Sequence, residues 1–173
     1  MEISAACIKE LREQCGAGFM DCRAALLKTD GDIDKALEVL KEQGFAKAAK
    51  KADRAADQGL VEAYIHCGGR IGAMVEVNCE TDFVARTDEF KELAHNIAMQ
   101  VAAMNPKYIS EEDIPADVPE SEKAELDVNA VCLLNQAYIK DPTLTIKDII
   151  IANIAKMGEN IKVSRISRFD LSE

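Results

Sequence analysis

Val61-Glu62-Ala63-Tyr64-Ile65-His66-Cys67-Gly68-Gly69-Arg70-Ile71-Gly72-Ala73-Met74-Val75-Glu76-Val77-Asn78-Cys79 alternates twice. Val61, Ala63, Ile65 and Cys67 take turns with Glu62, Tyr64 and His66. Beyond the glycines, Ile71, Ala73, Val75, Val77 and Cys79 take turns with Arg70, Gly72, Met74, Glu76 and Asn78. A period of two marks strands with one apolar face. Two adjacent glycines, free to adopt positive φ, are a two-residue hairpin signal. The stretch predicts an antiparallel hairpin.

Downstream the period changes to that of a helix. Thr87 opens it, Asp88 and Glu89 suit its positive N-terminal end, and Phe90, Leu93, Ala94, Ile97, Ala98 and Val101 form one apolar stripe. This helix is expected to cover the hairpin's apolar face. Pro106, Pro115 and Pro119 then predict an extended connection, followed by a further helix from about Ser121 to Ile139. Asp141-Pro142 breaks that helix, and Thr145 with Asp148 begins another that carries Ile149, Ile150, Ile154 and Met157 and stops at Gly158. Ile161 and Val163 share one strand phase and Ile166 takes the other, so Ile161 to Phe169 reads as a third strand with a bulge.

Upstream, Ser4 caps a first helix bearing Ile8 and Leu11, and Gly16 and Gly18 stop it. A second helix runs from Phe19 to Lys28. Asp32 caps a third bearing Ile33, Ala36, Leu37 and Leu40, which Gly44 is expected to close. The organisation expected is therefore a three-helix module at 1–44, a helical connector at 45–58 and a sheet-and-helix core at 59–173. The fold class is α+β, with a three-stranded antiparallel sheet packed with helices. The connector's Lys47, Lys50, Lys51 and Arg54 share one helical face, best read as solvated.

Composition narrows the function. With 21 Lys plus Arg against 31 Asp plus Glu, the net charge of -10 repels a phosphate backbone and points away from direct nucleic-acid binding. No stretch approaches a membrane span, and Met1-Glu2-Ile3-Ser4-Ala5-Ala6-Cys7 has no basic and apolar leader pattern, so a cytoplasmic location is expected. Six scattered cysteines lack a C-x-x-C pair and have only His66 and His95 as imidazole partners, so reduced thiols rather than a metal site are expected. No G-x-S-x-G, H-E-x-x-H, Walker A or G-x-G-x-x-G pattern occurs. Neither histidine has a partner set for catalysis, and no catalytic, metal or cofactor residue is assigned.

The informative loop is Asn78-Cys79-Glu80-Thr81-Asp82-Phe83-Val84-Ala85-Arg86-Thr87. Two readings of it stand side by side. Phe83 and Val84 plug the strand-to-helix junction while Asp82 caps or turns the loop, or Phe83 projects as a rigid apolar anchor for a partner's pocket. Spacing does not separate them.

Two motifs carry a resemblance. Asn78 to Ala85 is similar to the Asn-Cys-x-Thr-Asp-Phe-Val-Ala signature of the elongation factor Ts family, and Leu11 to Cys22 to its Leu-Arg-x-x-x-Gly-Ala-Gly-x-Met-Asp-Cys pattern. The resemblance implies a ubiquitin-associated-like first module that docks on the GTP-binding domain of elongation factor Tu through Arg12 and Met20. Phe19 stands where many members have methionine, which alters packing at that point of the docking face. The resemblance further implies that Phe83 acts as a wedge, Asp82 as a polar contact, and Thr81 and Val84 as supports of the loop. The activity implied is guanine-nucleotide exchange, in which the Mg2+ and phosphate site of the GTPase is disturbed and GDP leaves.

Long members carry two sheet-and-helix subdomains, whereas this length has room for one, so a symmetric homodimer joined through the sheet face or an exposed edge is expected to restore the missing contacts. The alternatives are an adaptor that binds proteins through the three-helix module without exchange activity, and a thiol enzyme using one of the cysteines.

Overall fold

The computed structural model describes residues 3–119, 123 and 125–172. The fold is α+β and divides into two compact units, Met1–Arg54 with Ile151–Asn160, and Ala55–Ile150 with Ile161–Glu173.

In the first unit, Ser4 Oγ accepts a hydrogen bond from the Cys7 N–H at 3.2 Å and starts α1, Ala5–Cys15. Gly16 ends it in the left-handed region at φ 65, its N–H donating to Arg12 O at 2.8 Å. Helix α2 spans Phe19–Lys28, and α3, Ile33–Ala49, is capped by Asp32, whose carboxylate accepts from the Lys35 N–H at 3.0 Å. Ile8, Leu11, Cys22, Ala25, Leu26 and Ala36 form the core between them.

Gly44 does not close α3. The helix continues to Ala49, with Gly44 buried in it. A side chain at Gly44 would meet Ile151 at 3.6 Å and Ala155 at 4.0 Å, so the glycine serves packing rather than termination. Past Ala49 the chain turns instead of extending the helix. Buried Asn160 fixes that turn, its Nδ2 donating to Ala52 O at 3.2 Å and Arg54 O at 2.8 Å. In the lysine stripe, Lys47 pairs with Asp21 at 2.9 Å.

The second unit is built on a three-stranded antiparallel sheet in the order β1-β2-β5, with β1 Gln58–Ile65, β2 Ile71–Cys79 and β5 Ile161–Asp170. Gly68 and Gly69 both have positive φ, 86 and 68, and Ile65 stands opposite Gly72, as the glycine pair predicts. The bulge is present too. Glu76 pairs with Arg165 and Val77 with Val163, leaving Ser164 as the extra residue of β5.

The two apolar sets of the hairpin lie on opposite sheet faces, contrary to expectation. Residues paired across a ladder share a face, and Val61, Ala63 and Ile65 pair with Glu76, Met74 and Gly72. Helix α5, Asp88–Met104, packs on the other face, where Ala73, Val75, Val77 and Cys79 are buried beneath its Phe90, Leu93, Ala94, Ile97, Ala98 and Val101. Glu62 and Tyr64 lie on this covered side as well. Glu62 bonds His95 of α5 at 2.9 Å, and the Tyr64 ring sits edge-on to the His95 ring at 5.7 Å.

The helix expected up to Ile139 is also corrected. Ser121, Glu122 and Ala124 lie outside the described residues. Lys123 and Glu125 are helical, but the helix does not run on to Ile139: the described residues beyond them form a short helix, α6 Val128–Val131, a 3-10 turn at Leu133–Asn135, and a small hairpin of β3 Ala137–Tyr138 and β4 Asp141–Thr145. Buried amides hold this segment. Gln100 of α5 donates to Gln136 Oε1 at 3.2 Å and Ala137 O at 3.1 Å, and accepts from the Ile139 N–H at 3.0 Å. Gln136 in turn donates to Ala130 O at 2.7 Å. Helix α7, Ile146–Met157, then starts at the expected capping box, with Thr145 N–H donating to Asp148 at 2.9 Å and Asp148 N–H to Thr145 Oγ1 at 3.1 Å. No described helix is long and apolar enough to cross a membrane.

Gln100→Leu keeps the side-chain volume but strands the Ile139 N–H and the Gln136 amide in the interior. The expected cost is about 2–4 kcal/mol in urea unfolding, because buried groups left without a partner incur their full desolvation penalty. A loss under about 0.5 kcal/mol would mean that the amide network does not hold this segment.

Candidate functional site

The loop singled out in the sequence forms one helical turn fastened at both ends. Strand β2 ends at Cys79, whose thiol donates to Thr81 O at 3.1 Å. Thr81 is extended, and its Oγ1 accepts from the Val84 N–H at 3.4 Å, which starts α4, Asp82–Ala85. At the far end Thr87 Oγ1 donates to Val84 O at 2.8 Å and accepts from the Phe90 N–H at 3.2 Å, capping α5. Ala85 and Phe90 are buried on either side of this joint. The turn thus hangs between a central strand and the helix that packs on it.

Phe83 stands on this turn with 79% of its surface exposed. It does not plug the strand-to-helix junction; buried Ala85 and half-buried Val84 face inward there. Of the two roles expected for Asp82, the cap falls to Thr81, and Asp82 takes its place in the turn itself. Asp82 is the first residue of the turn and its carboxylate pairs with Arg86 Nη2 at 2.8 Å, one helical turn on. Thr81, Asp82, Phe83 and Val84 are therefore brought together on one element. Arg86 was missed as a member of this group, although its i, i+4 spacing from Asp82 was a readable signal.

Arg12 and Met20 belong to the other unit, on either side of the Gly16–Gly18 turn. Arg12 is exposed, and its Nε donates to Ala17 O at 3.4 Å. Met20 is 68% exposed, and its neighbour Phe19 is exposed as well. These side chains leave two large apolar groups in water at the start of α2, beyond what the module's own core uses.

A second uncovered surface lies on the sheet, and the side chains that form it went unread in the sequence. On the sheet face away from α5, Val61, Ile65, Met74 and Phe169 are all exposed, and Ile65, Met74 and Phe169 with Leu171 rim a shallow depression. Combining the Gly68-Gly69 register with the alternation of β1 would have found it, because Ile65 opposite Gly72 puts β1's apolar residues on this side. Among the described residues no group of three or more His, Cys, Asp or Glu is placed to hold a metal ion. These surfaces are apolar anchors with charge beside them, the chemistry of protein docking.

Comparison with known proteins agrees. Residues 32–129 match the family model described as Elongation factor TS. The chain is 52% identical to the elongation factor Ts of Caldanaerobacter subterraneus subsp. tengcongensis, with 99% of this chain and 98% of that protein covered. It is 49% identical to the elongation factor Ts of Thermotoga petrophila, covering 100% of this chain and 98% of that protein. Against the elongation factor Ts of Carboxydothermus hydrogenoformans the identity is 49%, over 99% of this chain and 90% of that protein.

Proposed function

This chain belongs to the elongation factor Ts family, and we propose that it docks on elongation factor Tu bound to GDP and promotes GDP release with Phe83 as the working wedge. The observation that carries this reading is an aromatic side chain held 79% exposed on a turn fastened at both ends. A free loop would lose conformational entropy on docking, whereas this turn presents Phe83 already ordered.

A GTPase holds its nucleotide by backbone N–H groups at a helix N-terminus and by Mg2+, which neutralises phosphate charge. Phe83 enters an apolar crevice between helices of the GTP-binding domain, and Asp82 and Arg86 supply polar contacts at its rim. The inserted ring shifts the elements that hold Mg2+ and the phosphates, so GDP leaves faster. Thr81 and Val84 keep the turn in shape. Arg12 and Met20, in the first module, add docking affinity. No covalent bond is made or broken. By linkage, the factor binds the nucleotide-free GTPase most tightly and is displaced by incoming nucleotide. An adaptor without exchange activity would not need a rigid exposed wedge beside a separate docking module.

A second copy of this chain is the occupant we assign to the uncovered sheet face. The apolar surface runs across all three strands, from Val61 and Ile65 through Met74 to Phe169. Two such faces match by symmetry, since each copy presents the same apolar strip to the other. The complex with the GTPase then contains two copies of each protein.

Two measurements test these readings. Phe83→Ala should retain the wild-type unfolding midpoint and yet weaken acceleration of labelled-GDP release from elongation factor Tu by about thirtyfold, the loss of roughly 2 kcal/mol of aromatic burial. Wild-type acceleration by the folded variant would remove Phe83 from the mechanism. In analytical ultracentrifugation the wild type should sediment as a dimer and Met74→Glu as a folded monomer. A monomeric wild type, or a dimer unaffected by the buried charge, would contradict the sheet-face assignment.

A further inference from the structure

Cys15 ends α1 and Cys22 lies in the first turn of α2, with only Gly16 to Asp21 between them. Their Sγ atoms are 3.9 Å apart. That is contact distance for two sulfurs, and a disulfide of about 2.05 Å requires them to approach by about 2 Å. The hydrogen bonds holding the thiols apart are few. Cys15 donates to Leu11 O at 2.9 Å, and Cys22 reaches Ala17 O at a long 3.8 Å.

We propose that Cys15 and Cys22 are a redox-sensitive dithiol, closed to an intramolecular disulfide by a low-molecular-weight disulfide oxidant, and that the closed form docks poorly on the partner GTPase. The docking consequence rests on the exchange reading above; the bridge itself does not. Cys15 is half-exposed and Cys22 is buried in the module core, so Cys15 meets the oxidant. Its thiolate attacks one sulfur of the oxidant RSSR and expels one thiolate, leaving a mixed disulfide. Cys22 then attacks the Cys15 sulfur and expels the second. The two cysteines lose two electrons and two protons, and RSSR takes them up and leaves as two RSH. In the reduced protein burial, and then the neighbouring Cys15, push the Cys22 thiol up to about 11, which suits Cys22 to resolve the mixed disulfide rather than to meet the oxidant.

The bond would act on the docking turn directly. Its ring encloses Gly16 to Asp21, and thus Met20 itself and Ala17, whose carbonyl accepts from Arg12 Nε at 3.4 Å. Gly16, which caps α1 through Arg12 O at 2.8 Å, is in the ring as well. Drawing the sulfurs together therefore moves both side chains on which the first module's docking depends.

The test uses the full chain carrying Cys67→Ser, which removes the exposed thiol at the hairpin tip, equilibrated in glutathione buffers of graded oxidising strength. The expected results are a mass loss of about 2 Da and a Cys15–Cys22 linked peptide in a non-reducing digest. The oxidised protein should need at least about tenfold more factor to accelerate GDP release from elongation factor Tu, with full recovery in dithiothreitol. Cys15→Ser in the same background should form no bridge and keep its exchange activity in oxidising buffer. A persistent glutathione adduct on Cys15 without the bridge would overturn the dithiol, and a bridged protein with unchanged exchange would overturn its docking consequence. If the reduced protein fails to release GDP, the exchange reading falls and the docking consequence with it, while the mass and the digest still decide the bridge.

Discussion

The packing of α5 against one face of the sheet determines where everything else in the second unit can go. Phe90, Leu93, Ala94, Ile97 and Val101 descend on Ala73, Val75 and Val77, and each of these side chains is essentially removed from water. At about 25 cal/mol per Å2 of apolar surface, this interface outweighs any single polar contact in the unit. Because β2 must end and α5 must begin within a few residues, Thr81 to Thr87 have to complete the connection in one tight turn. Two threonine caps fasten that turn, and the outward position on it belongs to Phe83.

Exposure at that position has a stability cost that the fold tolerates. A phenylalanine left in water forgoes roughly 2 kcal/mol that burial would have contributed, and that surface remains available to a partner. The same reasoning applies to Met20 at the start of α2 and to the sheet face holding Ile65, Met74 and Phe169. A net charge of -10 opposes unselective contact between these patches, because like-charged molecules repel one another.

Much of this architecture was legible in the residues. The Ser4, Asp32 and Thr87 caps, the Thr145 and Asp148 capping box, the hairpin glycines and the phase break between Val163 and Ile166 are all local signals, and the structure has each where it was read. What escaped depended on partners distant in sequence. Gly44 looks like a stop until Ile151 and Ala155 are seen against it. Gln100 looks like a polar interruption of an apolar helix until the Gln136, Ala137 and Ile139 groups surround it. The side of the sheet that α5 covers follows from pairing register, which alternation within one strand does not reveal. Phe83 was identified from its motif, but its exposure follows from Ala85 and Val84 taking the inward positions, a choice between neighbours that spacing leaves open.

The central claim is that Phe83 is solvent-exposed in the free factor and enclosed in the complex with the GTPase. Replacing it with 4-fluorophenylalanine and recording the fluorine resonance with its H2O/D2O solvent shift measures this at the side chain itself. The account predicts a large solvent shift in the free protein, its disappearance on addition of nucleotide-free elongation factor Tu, and its return when excess GDP displaces the factor. A resonance already shielded in the free protein, or one still fully solvated in the complex, would contradict it.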